Sequence, residues 1–375
     1  MKRLFLTLSL SFLLIQISKA QITLPPSGSN QKSSVTQQIG SLVKVTIKYS
    51  SPDVTGPNGQ SRKGNIWGQL VPYGLAPNNF GSANEIPWRA GANENTVIKF
   101  SHDVLINGNA IAAGAYSIHM IPTETGPWTI IFNKDTESWG SYFYTQENDA
   151  LRIEVTPENI EYQEWLNYEF TDRQNDKATC ALQWEHKSIP FTIEVANYND
   201  LYVENIEDEL KSSKGFVWTN WNAAANYALS NNTHLEKGLE WAEFAVSGNF
   251  IGQKNFTTLT TKANILMALN RNDEAAAIVN EAIPMGTANQ LHGLGRTLIT
   301  NGLKDKALDV FQKNHEMNDG AWPTEVGMAR GFSAVGNYAK ALEHCRIAHM
   351  QAPDKLNKDN LASAIEKLEK KEDIN

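Results

Sequence analysis

Between residues 43 and 195 apolar side chains recur at every second position. Beyond residue 200 they recur at helical spacing, and no single kind of element accommodates both patterns. Val43, Val45, Ile47 and Tyr49 share one face of a strand whose other face is Lys44, Thr46 and Lys48. The same alternation predicts strands over residues 97–100, 104–106, 116–121, 128–133, 141–144, 151–155, 165–170, 178–184 and 191–195. Turn chemistry separates them: Asn107-Gly108, Thr125-Gly126-Pro127, Trp139-Gly140, Thr156-Pro157 and the 172–176 stretch. About ten short strands with no helical period between them predict an antiparallel all-β sandwich or barrel over residues 38–197. Asn107-Gly108 is the clearest two-residue hairpin turn, since both types tolerate positive φ.

The second half, residues 198–375, is Ala-rich and repeats with a period of about 34 residues. One unit carries Ala263, Leu266, Ala275, Val279 and Ala282; the next carries Gly295, Leu298, Gly302, Ala307 and Phe311. The last carries Ala329, Phe332, Gly336, Ala341, Cys345, Ala348 and Pro353. Small residues where two helices touch, a turn glycine between them and a closing proline resemble the tetratricopeptide pattern. Residues 221–246 read as a degenerate first unit and residues 360–371 as a capping helix. An all-α tetratricopeptide-like solenoid is therefore expected, because such units bury a continuous core only when stacked. Its concave groove either holds a protein or peptide partner, or the helices simply support the β domain.

Lys2 and Arg3 precede an apolar run from Leu4 to Ile17, and Ser18-Lys19-Ala20 places small residues at the −3 and −1 positions of a cleavage site. This predicts a signal peptide over residues 1–20, a mature chain starting at Gln21, and export to the periplasm or the medium. Residues 21–37 read as a flexible lead-in. No other segment is apolar enough for a membrane span. With 41% hydrophobic residues and 20% charged, the composition is that of a globular protein, and a net charge of −8 argues against nucleic acid as a partner. The two cysteines, Cys180 and Cys345, lie in different halves at positions expected to be buried. Two buried free thiols are expected rather than a disulfide framework.

Two segments fit neither period. Ile66-Trp-Gly-Gln-Leu-Val-Pro-Tyr-Gly74 and Trp88-Arg-Ala-Gly-Ala-Asn-Glu-Asn-Thr96 gather aromatic, charged and amide side chains between glycines, as functional loops on a rigid scaffold do. Together with Tyr49-Ser-Ser-Pro52, Ala113-Gly-Ala-Tyr-Ser117, Trp128-Thr-Ile-Ile-Phe-Asn133 and Trp139-Gly140, they resemble a secreted bacterial family known only as domain of unknown function 2911. The resemblance runs from about Gln38 to Val195, and the helical half is similar to the repeat extension of some members. An insertion over residues 75–87 departs from the family pattern and adds Asn78, Asn79, Asn84 and Glu85 beside the loops. The family brings no catalytic residues.

On chemistry alone, Trp67, Tyr73, Trp88, Arg89, Asn93, Glu94 and His119 are the candidate ligand-binding set: stacking rings, a fixed cation, a carboxylate and amides. The planar guanidinium of Arg89 suits a carboxylate or phosphate. Arg89 paired with Glu94 as a buried clip is the competing reading, as are core-packing roles for the rings. The eight histidines form no ligand-spaced motif, and no nucleophile elbow or phosphate loop occurs, so neither metal nor cofactor is expected. A metal held by His102, His119 and Glu94 is the one geometrically conceivable exception. By parity His119 should point away from the apolar face of its strand. Glu85 and Glu94 flanking Trp88, with Asp103 nearby, would suit sugar chemistry. Two functions remain: an exported binding or scaffold protein with a protein partner and a small ligand, or an exported hydrolase using the Arg89/Glu94 region.

Overall fold

Residues 30–375 are described by the structure, a computed structural model, and they form two compact units divided after Ala196. The expected leader peptide lies outside the described residues, as does most of the expected lead-in. No helix among the described residues is long and apolar enough to cross a membrane.

The first unit is built from strands β1 (Gln31–Ile39), β2 (Val43–Ser51), β3 (Ala76–Pro77), β4 (Glu85–Ile86), β5 (Thr96–Phe100) and β6 (Val104–Ile106). They are followed by β7 (Asn109–Ile111), β8 (Gly114–Ile121), β9 (Trp128–Asn133), β10 (Asp149–Val155), β11 (Glu158–Thr171) and β12 (Lys177–Glu194). One antiparallel sheet has the order β1-β2-β5-β8-β9-β10 and another β11-β12-β6-β7. The two face each other: Phe132 on β9 meets Phe191 on β12 at 5.8 Å, and Tyr49 on β2 meets Tyr168 on β11 at 5.0 Å. Among the described residues β1 and β10 end the larger sheet with no partner strand on their outer sides, so the sandwich is open and the barrel alternative falls. Alternation holds along β2, where Val43, Val45 and Ile47 are buried and Lys44 and Lys48 exposed. Asn107 and Gly108 both take positive φ in the β6–β7 hairpin, as a two-residue turn requires.

Two elements differ from the sequence reading. Residues 31–37 are strand rather than lead-in, because Val35 pairs with Ile47 and Gln37 with Val45 along an edge that needs few apolar side chains. Residues 141–144, expected as a strand, form a turn that crosses over β8. Their aromatic residues cover a sheet face instead of lining a strand.

The second unit holds ten helices: α1 (Tyr198–Leu210), α2 (Trp218–Ser230), α3 (Leu235–Ser247), α4 (Phe256–Ala268) and α5 (Asn272–Ala282), then α6 (Ala288–Thr300), α7 (Lys304–Met317), α8 (Trp322–Ala334), α9 (Tyr338–Gln351) and α10 (Lys355–Glu369). Four hairpins, α2/α3 to α8/α9, share one device. Two residues past the end of each first helix stands a left-handed residue, Asn232, Asn270, Gly302 or Gly336. In each case the following amide bonds back five residues, Thr233 to Ala228, Arg271 to Leu266, Leu303 to Leu298 and Asn337 to Phe332, at 2.8–3.0 Å. This bond pattern satisfies a helix-end carbonyl and turns the chain at once. Ala263, Ala275, Ala307 and Ala341 are fully buried where neighbouring helices approach, and Cys345 packs among them. Both cysteines are free and buried.

Candidate functional site

Two of the aromatic candidates, Trp67 and Trp88, pack half-buried into an indole cluster, and Tyr73 stays exposed. Trp67 sits among three other indoles, with ring centroids 5.6 Å from Trp88, 5.0 Å from Trp128 and 5.7 Å from Trp184. Trp88 exchanges backbone hydrogen bonds with Met120 of β8, which fixes the 88–96 loop to the sheet. Tyr73 lies flat over Gly68, where a Cβ would come within 2.6 Å of its ring. Edge-to-face packing of this kind between Trp67 and its neighbours stabilises the cluster.

Arg89 does not pair with Glu94. Its Nη1 donates to the carbonyl of Asn93 at 2.6 Å, and its guanidinium lies 4.9 Å from the Tyr142 ring centroid. Gly140 makes room for it: a Cβ there would lie 2.3 Å from Arg89 Cζ. The same 139–144 turn seals His119. The imidazole is buried between Ser117 Oγ at 3.0 Å and Ser141 Oγ at 2.9 Å, with Tyr144 against its edge. Burial, reinforced by the Arg89 charge, pushes its pKa down to about 3, so it is neutral at physiological pH. His119 does leave the apolar face of β8, as parity predicts, but meets protein there instead of solvent. The 75–87 insertion folds as the β3–β4 ribbon onto this turn, with Asn78 Nδ2 donating to the carbonyls of Ala83 and Tyr142.

Glu94 belongs to a different surface. Lys32 of β1 pairs with it at 2.7 Å and Ser50 Oγ donates to it at 3.2 Å. The Lys32 hydrogen bond is the largest influence holding its carboxyl below the ordinary carboxylate range. Glu94, Lys32, Lys48, Tyr49 and Ser50 line a shallow concavity of about 560 Å³. Beside it, Lys44, Lys48 and Lys99 line another of about 420 Å³ on the outer face of β2 and β5. Asn93 takes a left-handed φ and accepts from Asn30 at 3.4 Å. The seven candidates therefore fall into separate places: Trp67 and Trp88 in the indole cluster, exposed Tyr73 over Gly68, Arg89 against Asn93 and the Tyr142 ring with buried His119 beside it, and Glu94 in its concavity. Neither Asp103, which accepts from the Ala113 amide, nor His102, which bonds Ser101, joins them.

The helical unit presents a basic cluster that the sequence reading did not single out. His292 and Arg296 on α6 face Arg330 on α8, and His292 Nδ1 lies 3.1 Å from the carbonyl of Pro323. Burial, then Arg330 and Arg296, push the His292 pKa down to about 4. Burial first and then the Arg296 charge lower Arg330 from its ordinary value. Among the described residues neither arginine makes an ion pair, although Arg330 Nη1 donates to the Ile374 carbonyl at 3.4 Å. His292 and Arg296 are one helical turn apart, so an i,i+4 pair of basic residues on a helix with no other ionisable side chain was the available signal.

Against known proteins, none of the curated sequences matches. Solved structures similar to the helical region include YrrB, described as a TPR protein with an unusual peptide-binding site: 18% identity, 45% of this chain and 86% of that chain, TM-score 0.30. A thermophilic TPR protein of Thermus thermophilus shares 18% identity over 45% of this chain and 91% of its own, TM-score 0.31. A tetratricopeptide repeat protein from Parabacteroides merdae shares 16% over 46% and 70%, TM-score 0.33. Residues 30–193 match the sequence model of a family described as protein of unknown function, DUF2911. The sheet unit of this chain is thus similar to that family, and one polypeptide carries it together with a helical-repeat unit.

Proposed function

We propose that this is an exported binding protein whose helical unit takes a carboxylate-bearing protein or peptide segment against Arg296 and Arg330. The supporting observation is that Arg296 on α6 and Arg330 on α8 feel each other's charge, that Asp373 only partly offsets it at Arg330, and that neither arginine makes an ion pair among the described residues. Two neighbouring cations destabilise each other unless an anion stands between them, and guanidinium forks accept carboxylates in bidentate geometry. The sheet unit then serves as the scaffold, with the Glu94 concavity as the place where a small polar ligand would bind.

Fluorescence anisotropy of a labelled hexaglutamate peptide with the purified full chain tests this. Arg296 is exposed, so Arg296→Ala leaves the core intact. Removing one charge-assisted contact is expected to weaken binding about ten- to 150-fold, given ~1.5–3 kcal/mol for such a bond. Equal affinity of the native chain and Arg296→Ala/Arg330→Ala would discard the reading. Export rests on Lys2, Arg3, the Leu4–Ile17 run and Ser18-Lys19-Ala20. Intact mass of the protein recovered from its native host is expected to correspond to a chain starting at Gln21; a chain retaining Met1 would count against export.

A further inference from the structure

We propose that His315, Glu325 and His344 form a zinc site. The eight histidines are scattered in sequence, but three consecutive helices bring two of them onto one carboxylate. His315 comes from the last turn of α7, Glu325 from the first turn of α8 and His344 from the middle of α9. His315 Nε2 lies 2.8 Å from Glu325 Oε1, and His344 Nδ1 lies 2.7 Å from Glu325 Oε2. One ligand atom from each residue lies within 4.8 Å of the others, which a single ion can span.

Four features make this more than a hydrogen-bonded triad. The donor set, two imidazole nitrogens and one carboxylate, is a zinc set with a fourth position left for water or substrate. The ligands are held in place: the His344 ring stacks on Phe332 at 5.5 Å and 18°, and the two imidazoles sit edge to face at 5.7 Å. Burial is graded, with the Glu325 side chain 7% exposed at the floor and His315 30% exposed at the rim, so the site opens on the histidine side. Finally, Gly320 leaves the approach clear. A Cβ there would lie 3.2 Å from His315 Nε2 and 3.3 Å from Glu325 Oε1, beside both ligand atoms.

Tetrahedral zinc with bonds of about 2.0–2.2 Å places neighbouring ligand atoms roughly 3.3–3.5 Å apart. The observed N···O separations need open only by about 0.5–0.8 Å, within the reach of side-chain rotation. On binding, the ion replaces the hydrogen now lying between each imidazole nitrogen and the carboxylate. In the zinc-bound form each ring carries its proton on the other nitrogen, Nδ1 of His315 and Nε2 of His344. Neutral rings therefore exchange tautomer without losing a proton, and a protonated ring would release one. The site is separate from the basic cluster on α6 and α8, and its test does not depend on peptide binding.

The experiment uses the tag-free full chain, stripped with chelator and titrated calorimetrically with zinc chloride. One zinc per chain is expected, and His315→Gln and His344→Gln should each weaken it by about 100-fold or more, the upper end of what losing even an outer-shell partner costs. Circular dichroism of each variant shows whether it is folded. Because a buried change can disturb folding, cobalt loading of the native chain supplies a second readout. A tetrahedral cobalt absorption in the visible, without a thiolate charge-transfer band, is expected from this ligand set. No zinc uptake by the native chain, variants that bind as tightly as it does, or an octahedral cobalt spectrum would each overturn the proposal.

Discussion

Phe311→Ala is expected to destabilise the helical unit by about 3–5 kcal/mol, the range for emptying a buried aromatic site. The ring is fully buried, and glycines close around it. A Cβ at Gly295 on α6 would come within 2.4 Å of the ring, one at Gly327 on α8 within 2.6 Å, and one at Gly331 within 2.9 Å. Three glycines on two helices thus make a socket for a single side chain from α7, locking three helices together. Each glycine costs helix stability relative to alanine, roughly 1 kcal/mol, so the socket persists only because the ring fills it. Truncation removes the ring and leaves the penalties of all three glycines standing. The socket's walls are backbone and cannot collapse, which favours the upper part of that range. Urea unfolding of the full chain followed at helical wavelengths measures it. A shift below about 0.5 kcal/mol, the level of an ordinary surface change, would mean that the ring is not the keystone of this interface.

Period and small-residue spacing made both architectures legible, since each depends on side-chain patterning that burial enforces directly. What escaped was set by contacts between distant residues. β1 is an edge strand whose side chains alternate weakly, as Ser33, Ser34 and Gln37 illustrate, and only its pairing with β2 defines it. The 141–144 segment has aromatic residues with strand-like spacing, yet Gly140 in a left-handed conformation turns it so that Ser141 reaches His119. In the first two hairpins asparagine occupies the left-handed position that glycine takes in the last two, so an identical turn carries two different sequence signatures. The candidate site suffered most. Trp67, Trp88 and Arg89 look like a binding surface by residue type alone, but indole packing and the Tyr142 ring consume them. His315, Glu325 and His344 stand 10 and 19 residues apart across two turns, a spacing no short ligand motif describes. Only the stacking of consecutive repeats brings them to neighbouring positions.

His119 should make the sheet unit acid-sensitive in a way one substitution can isolate. Its folded-state pKa of about 3 lies below the ~6.5 of an unfolded chain, because the imidazolium would be stranded in a sealed cavity beside Arg89. The neutral ring, by contrast, is satisfied, since one nitrogen donates to a serine hydroxyl and the other accepts from one. The unfolded chain therefore binds a proton that the folded chain refuses. Stability from this group is fully present above pH ~6.5 and is lost as pH falls toward 3. At 1.36 kcal/mol per pH unit, the drop between pH 6.5 and 4.5 amounts to about 2–3 kcal/mol. His119→Gln keeps a donor and an acceptor but cannot titrate. It should cost about 1–2 kcal/mol at pH 7.5, from imperfect bonds to Ser117 and Ser141, and should lack the acid loss. Near pH 4.5 the variant is thus expected to equal or exceed the native chain in stability. Other groups titrate identically in both proteins, so the difference between their urea midpoints as a function of pH reports His119 alone. Curves that stay parallel from pH 7.5 to 4.5 would show that the ring is protonated in the folded state, and with it that the 139–144 turn opens to water.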